Sequence, residues 1–279
     1  MTFRVGETIG GYEILGLLGS SGFGVAYKVR YLAENRIESL KVLPAELRGS
    51  HSIDHFRREI RIHGRLNHPN IIRFLRSHEI EGHLAIATEL AVGISLQQRL
   101  RERRVSLKEG IGYLGETLDG LACAHGYGVV HRCIHPGNLI IGADNRVKIT
   151  GFSFAKSALD PRLTLQGIVI GVADYMAPEQ VASEQSLDGR ADIYAVGAIL
   201  YEIVAGKPPF QSNSIFDTMQ AHLHKTPRRP SEIDADLPAE IDEIILTALA
   251  KDRSNRFSSA QEFRGALQSV KSAVEAVAV

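Results

Sequence analysis

The spacing of apolar residues along the chain changes character once, near residue 90. Before that point, short apolar runs alternate with glycine and polar breaks; beyond it, apolar residues recur at helical spacing. Residues 12–47 read as strands: Tyr12, Ile14 and Leu17 lead into LGSSGFGVAYKV, and Leu40-Lys41-Val42-Leu43 forms a further apolar run with one lysine in it. The first helix is predicted over residues 53–66, where Phe56, Ile60, His63 and Leu66 share a face. Glu59 falls on that face, while Arg57, Arg58, Arg61 and Arg65 lie largely elsewhere. A carboxylate on a buried face needs a cation, and Lys41 is the natural candidate; pairing with a nearby arginine on a surface helix is the alternative. Asn67-His68-Pro69-Asn70 stops the helix. Residues 71–74 and 84–88 read as strands around a turn at Glu81-Gly82. Residues 88–93 then pass from strand to a connector that lacks the Ser/Gly/Pro run of a floppy linker. The pattern divides the chain into a mostly β part (1–88), a hinge (89–93) and a mostly helical part (94–279).

Within the helical part, residues 96–104 form a short basic helix. Residues 106–127 form a longer one, with a capping box at Ser106 and Glu109 and a stripe of Leu107, Ile111, Leu114, Leu118 and Leu121. The run ADIYAVGAILYEIVA at 191–205 is apolar nearly all round and predicts a helix buried on most faces. Helices are expected again at 213–224, 239–249 and from 259 onward, broken by Pro227, Pro230 and Pro238. Residues 154–171 have no period and carry Pro161, which predicts an exposed loop of functional length.

The 279 residues suffice for one large domain or two lobes around a cleft. A formal net charge of +0 argues against electrostatic capture of nucleic acid or anionic membrane. Two cysteines, Cys123 and Cys133, argue against a disulfide scaffold and fit a reducing compartment. No apolar run approaches the roughly 20 residues of a membrane span, and MTFRVGETIGG lacks the apolar core of a signal peptide. The expectation is a cytoplasmic domain, alone or as the cytosolic part of a longer protein.

Candidate chemistry concentrates at residues 131–153, HRCIHPGNLIIGADNRVKITGFS. Apolar runs at 139–141 and 147–149 flank Gly142, Asp144 and Asn145, which predicts a hairpin that brings Asn138 opposite Gly151. Upstream, Gly19, Gly22 and Gly24 punctuate a strand–turn–strand, where small residues let backbone N–H groups approach a phosphate; an ordinary hairpin turn is the alternative. These segments resemble the protein kinase family, whose catalytic centre reads H-R-D-x-K-P-x-N, hairpin, D-F-G, and are most similar to bacterial eukaryotic-like Ser/Thr kinases. The resemblance spans about residues 11–267. Its markers occur in order: the glycine loop at 19–24, Lys41, Glu59, the hinge at 89–91, His131-Arg132, Asn138, the GFS triplet, Ala177-Pro178-Glu179, Asp192 and Arg256.

The resemblance implies an α+β, bilobal fold: a β-sheet lobe with one helix, a mainly helical lobe, and nucleotide between them. It assigns Gly19, Ser21, Gly22, Gly24, Lys41, Glu59, Glu89, Ala91 and Asn138 to the nucleotide side. It makes His131, Arg132, Phe152, Glu179, Asp192 and Arg256 structural anchors. The departures cluster. Cys133 stands at the aspartate that orients the substrate hydroxyl, and His135 at the lysine that steadies the transferring phosphate. Gly151 stands at the metal-binding aspartate, and Val172 at the substrate-loop threonine. Ser21 and Ser153 replace glycines; Glu38 and Ser39 replace an apolar residue and an alanine. The implied function is a catalytically impaired domain, a pseudokinase, that serves as a protein-binding scaffold or signalling switch. Lys41 and Glu59 leave metal-independent ATP binding open, while Mg²⁺ is not expected to bind with Asn138 as the one remaining ligand. The alternative is a weakly active or atypical Ser/Thr kinase. Ser157 and Thr164 are candidate phosphate acceptors within reach of Arg132, or ordinary polar loop residues. The arginines around 57–65 and 99–104 are candidate partner surfaces, or solvated helix faces.

Overall fold

Strands β1 (Thr8–Ile9), β2 (Tyr12–Ser21), β3 (Gly24–Tyr31) and β4 (Arg36–Leu43) begin the chain; β5 (Phe74–Ile80) and β6 (His83–Glu89) follow helix α1 (His51–His63). They form one six-stranded sheet in the order β1-β2-β3-β4-β6-β5, with every pairing antiparallel. The computed structural model describes residues 3–21, 24–43, 51–152, 156–157, 172–184 and 186–277. Alternation sends Tyr12, Ile14, Tyr27, Val29, Leu40, Val42, Ile80, Ala85 and Ala87 into one apolar layer. Leu43, Phe56 and Ile86, with Ile53, Ile60, Phe74 and Leu84 against them, form a second layer where α1 meets the sheet.

After the connector come β7 (Ile94–Ser95), α2 (Leu96–Glu102), α3 (Leu107–Gly126), β8 (Val129–Val130), β9 (Leu139–Ile141), β10 (Val147–Ile149) and β11 (Lys156–Ser157). Helices α4 (Pro178–Val181), α5 (Arg190–Ala205), α6 (Ile215–His224), α7 (Ala239–Ala248) and α8 (Ala260–Val277) complete the helical part. The capping box of α3 is formed: the Glu109 amide donates to Ser106 Oγ, and the Ser106 amide donates to the Glu109 carboxylate at 3.0 Å. Helix α5 is buried along most of its length and is the axle of one large core with α3, α7 and α8. The hairpin is present, with Leu139 opposite Ile149 and Ile141 opposite Val147. Its turn closes through Asn145, whose left-handed φ of 59° suits asparagine.

The structure departs from the sequence pattern at α1 and just after it. The helix ends at His63, and Gly64 to Leu66 continue as tighter turns that still bury Leu66. Residues 71–73 are not part of a sheet strand. The Ile72 amide donates to the Ile149 carbonyl (2.9 Å), and the Ile149 amide donates to the Asn70 carbonyl (2.8 Å). That stretch is therefore pledged to the hairpin, and the sheet strand starts only at Phe74. Arg58, placed by spacing on a solvated face, is 6% exposed.

Glu38, anomalous in an apolar strand, is fully buried and satisfied. It accepts from Arg36 Nε at 2.8 Å and from Arg76 at 2.6 Å, and the Arg76 guanidinium lies 3.7 Å from the centre of the Tyr31 ring.

Glu179 and Arg256 make a bidentate pair, 2.7 and 2.8 Å, deep between α4 and the segment before α8. Removing one partner of such a pair strands the other charge in the core. Arg256→Ala is expected to lower unfolding free energy by about 3–5 kcal/mol in a denaturant titration; a loss below about 1 kcal/mol, the value of an exposed pair, would refute that account.

Candidate functional site

Lys41 lies in the middle of β4, hydrogen-bonded on both sides through the ladder, and its side chain reaches α1. Its Nζ is 2.6 Å from Glu59 Oε2 and 5.6 Å from the centre of the Phe56 ring. Both side chains are largely shielded, so this is a partly desolvated, charge-assisted contact rather than a surface pair. Gly24 backs it: its φ is 126°, and a Cβ there would sit 2.7 Å from the Val42 carbonyl oxygen and 3.5 Å from Lys41 Cε. Gly19 has open space around it and no such constraint. Ser21 ends β2, but its side chain lies outside the described residues, as do Gly22, Ser153 and Thr164. The Ser157 backbone pairs with Val129 in β11, and its side chain also lies outside them.

Glu89, at the hinge, is committed elsewhere. Its Oε1 accepts from Lys148 Nζ (2.6 Å) and from the Arg73 amide (2.9 Å), bracing the connector against β10. Ala91 packs against the helical core.

The loop between β8 and β9 carries the altered residues. Asp192, 1% exposed, accepts from the His131 amide (2.9 Å), the Arg132 amide (2.8 Å) and His125 Nε2 (2.8 Å). Burial works against its charge, yet the His125 contact, the two imidazoles and the His131 amide together hold its carboxyl below the usual range. This clamp sustains Arg132 at a φ of 66°, and Gln180 Nε2 fixes the Arg132 carbonyl from α4 at 2.9 Å. Burial, and then Arg58, lower the Arg132 pKa.

Cys133 is 7% exposed, and burial, reinforced by Asp192, pushes its thiol up to about 12. His135 caps the turn at 136–138 by accepting from the Gly137 amide at 3.2 Å; burial pushes its imidazole down to about 4, so it is neutral near pH 7. Val172 is half-buried just before the turn Ala173–Tyr175. Asn138 donates through Nδ2 to the Cys133 carbonyl (2.9 Å) and stands against Gly151. At Gly151, φ is 85°, and a Cβ would lie 2.6 Å from Asn138 Cγ, too close for any side chain without movement of the amide. Any side chain at position 151 would therefore require the Asn138 amide to shift.

This donor set fits a magnesium ion poorly. It offers one neutral amide, a buried neutral imidazole and a buried thiol, where Mg²⁺ prefers carboxylate and phosphate oxygens. Among the described residues there is no group of three or more His, Cys, Asp and Glu side chains placed to share a metal. The Lys41–Glu59 pair does fit a polyphosphate, since a held ammonium needs no metal to meet a phosphate oxygen.

Sequence reading overlooked two residues that organise this region. His63, noted only as part of a buried face, stacks on Phe152 at 5.0 Å, and Phe152 meets His131 edge-on at 4.6 Å. Its position four residues after Glu59 on the same helix face was the available signal. Gln180 had no signal beyond its place after Glu179.

The sheet with one packed helix, the hinge, the all-round buried α5 and the loop–hairpin site together define a protein kinase fold. The protein kinase domain family matches residues 12–268, and the chain belongs to that family. It is 36% identical over 267 residues to the serine/threonine-protein kinase PknJ of Mycobacterium tuberculosis, covering 92% of this chain and 45% of that protein. It is 37% identical over 281 residues to pkn3 of Myxococcus xanthus, covering 95% and 51%. The chain spans about half the length of the curated relatives it matches. The crystal structure of the M. tuberculosis PknI kinase domain superposes with a TM-score of 0.74 at 27% identity, covering 96% of this chain and 99% of that one.

Gly151→Ala is expected to destabilise the domain by about 1–3 kcal/mol, from the left-handed backbone and the Asn138 contact together. A stability equal to wild type in a urea titration would show that the Asn138 amide moves freely. At about pH 8, with a thiol reagent, Cys133 is expected to stay unlabelled in the native domain and to react on denaturation; rapid native labelling of both cysteines would contradict its burial.

Proposed function

We propose that this domain is a protein-kinase-family domain with disabled phosphoryl transfer, a pseudokinase that acts by binding protein partners as a scaffold or switch. The observation that carries this reading is that no carboxylate stands at either position: Gly151 lies against the Asn138 amide, and position 133 holds a buried thiol. Phosphoryl transfer is mostly positioning and charge neutralisation. Here the groups that would orient a hydroxyl, steady the phosphate and hold the metal are a thiol pushed up to about 12, a neutral imidazole and a glycine. Losing each charged group costs on the order of 3 kcal/mol of transition-state stabilisation, about a hundredfold in rate. The Lys41–Glu59 pair supports retained nucleotide binding without metal. The Glu89 brace and the buried Glu179–Arg256 pair are consistent with an ordered docking platform. No helix among the described residues is long and apolar enough to cross a membrane. The cytoplasmic setting is part of the same proposal, as is the division into lobes at residues 1–88 and 94–279 around the hinge at 89–93.

A second reading, a weakly active or atypical Ser/Thr kinase, is favoured by the relatives, which are named serine/threonine-protein kinases, and by the intact Lys41–Glu59 pair. Two measurements separate the readings. Incubated with labelled ATP and Mg²⁺ or Mn²⁺, the domain is expected to incorporate no more phosphate than Lys41→Met; incorporation abolished by that substitution would establish the second reading. In thermal-shift titrations, any stabilisation by ATP is expected to be the same with and without Mg²⁺. A metal-dependent increase would mean that a metal site exists and that the disabled-site reading is wrong.

A further inference from the structure

A column of rings joins the sheet to the helical part: Phe74 of β5, His63 of α1, then Phe152 and His131 beneath them. Ring centres are 5.9 Å apart for Phe74 and His63, 5.0 Å for His63 and Phe152, and 4.6 Å for Phe152 and His131. One member, His63, is a titratable ring from α1, the helix that carries Glu59. His63 is 2% exposed, and its Nε2 lies 2.5 Å from the Ile72 carbonyl oxygen. Beside a carbonyl, that nitrogen must be the N–H donor. In the neutral ring Nδ1 is then a bare lone pair, and it is buried with no hydrogen-bond partner. Ile72 is in turn stitched to the hairpin through Ile149. The imidazole therefore pins the end of α1 to backbone that belongs to the floor of the site.

We propose that His63 is the pin of a proton-released latch: neutral, it holds α1 against Ile72 and the ring column; charged, it lets α1 withdraw and carry Glu59 away from Lys41. The second proton would go on Nδ1, which faces no acceptor, and an unsatisfied buried donor destabilises the closed arrangement. Charged groups around the ring oppose one another. Glu59 on the same helix and Glu89 at the end of β6 favour the cation, and Lys41 on β4 disfavours it. His131, below Phe152, also feels the His63 ring and is itself kept neutral by burial. Burial outweighs these charges and pushes the His63 pKa below its ordinary value. The sign follows. The withdrawn ring binds a proton at its ordinary pKa and the pinned ring binds it less readily, so the closed form is favoured above about pH 6.5 and loses ground as pH falls through and below that value. The proposal is independent of whether the domain transfers phosphate.

Hydrogen exchange of the α1 amides tests it in the intact chain. Corrected for intrinsic rates, α1 opening is expected to rise up to about tenfold from about pH 7.5 to about 5.5, while the α5 amides change less. His63→Gln keeps a side-chain N–H for the Ile72 carbonyl but cannot titrate in this range, and is expected to remove most of that rise. Should His63→Gln not fold, His63→Leu fills the column without titrating and serves the same comparison. An unchanged wild-type α1, a variant that keeps the tenfold rise, or an equal change in α5 would each overturn the latch.

Discussion

Asp192 sits in the first turn of the most buried helix and gives its two carboxylate oxygens to the amides of His131 and Arg132. A buried carboxylate survives when hydrogen bonds replace its lost water, and this one also has His125. The consequences run outward. The clamp holds the loop so that the His131 ring can meet the Thr150 carbonyl at 2.9 Å and pack edge-to-face with Phe152. Phe152 then meets His63, and His63 meets Ile72 and Phe74. The placement of α1, and with it the Lys41–Glu59 pair, thus depends on a carboxylate in the opposite half of the molecule.

The altered residues fit this frame as a set. Carboxylates at positions 133 and 151 would each carry a desolvation cost that cations or hydrogen-bond donors would have to offset. With a thiol and a glycine there, and a neutral imidazole at 135, the loop is closed by ordinary packing and by the Asn138 amide. Glu38 shows the opposite solution in the sheet: a charge introduced into an apolar layer and matched by Arg36 and Arg76. The sheet holds a matched buried charge at Glu38, while the loop and hairpin at 131–153 hold neutral groups at positions 133, 135 and 151.

Elements with a strong local signal were legible in the chain. The Ser106–Glu109 box marked the start of α3; the Leu139–Ile141 and Val147–Ile149 runs marked the hairpin; the unbroken apolarity of 191–205 marked the central helix. The partnership of Lys41 with Glu59 was legible because a carboxylate on a buried face demands a cation. The register of residues 70–73 was not legible. Their apolar run fits a strand, but which strand they pair with depends on the hairpin, more than seventy residues away. The burial of Arg58 and the satisfaction of Glu38 were hidden for the same reason, since partners such as Arg76 lie outside any local window.

The sequence by itself determined the family, the order of the elements and which residue types stand at the positions of the family's motifs, because residue types at fixed spacing carry that information. Tertiary structure decided what surrounds positions 133, 135 and 151 and how the halves are joined. That Asn138 packs against Gly151, and that His63 meets the Ile72 carbonyl, depends on distances between segments apart in the chain. Packing is a property of neighbours in space, and spacing along a chain does not encode it.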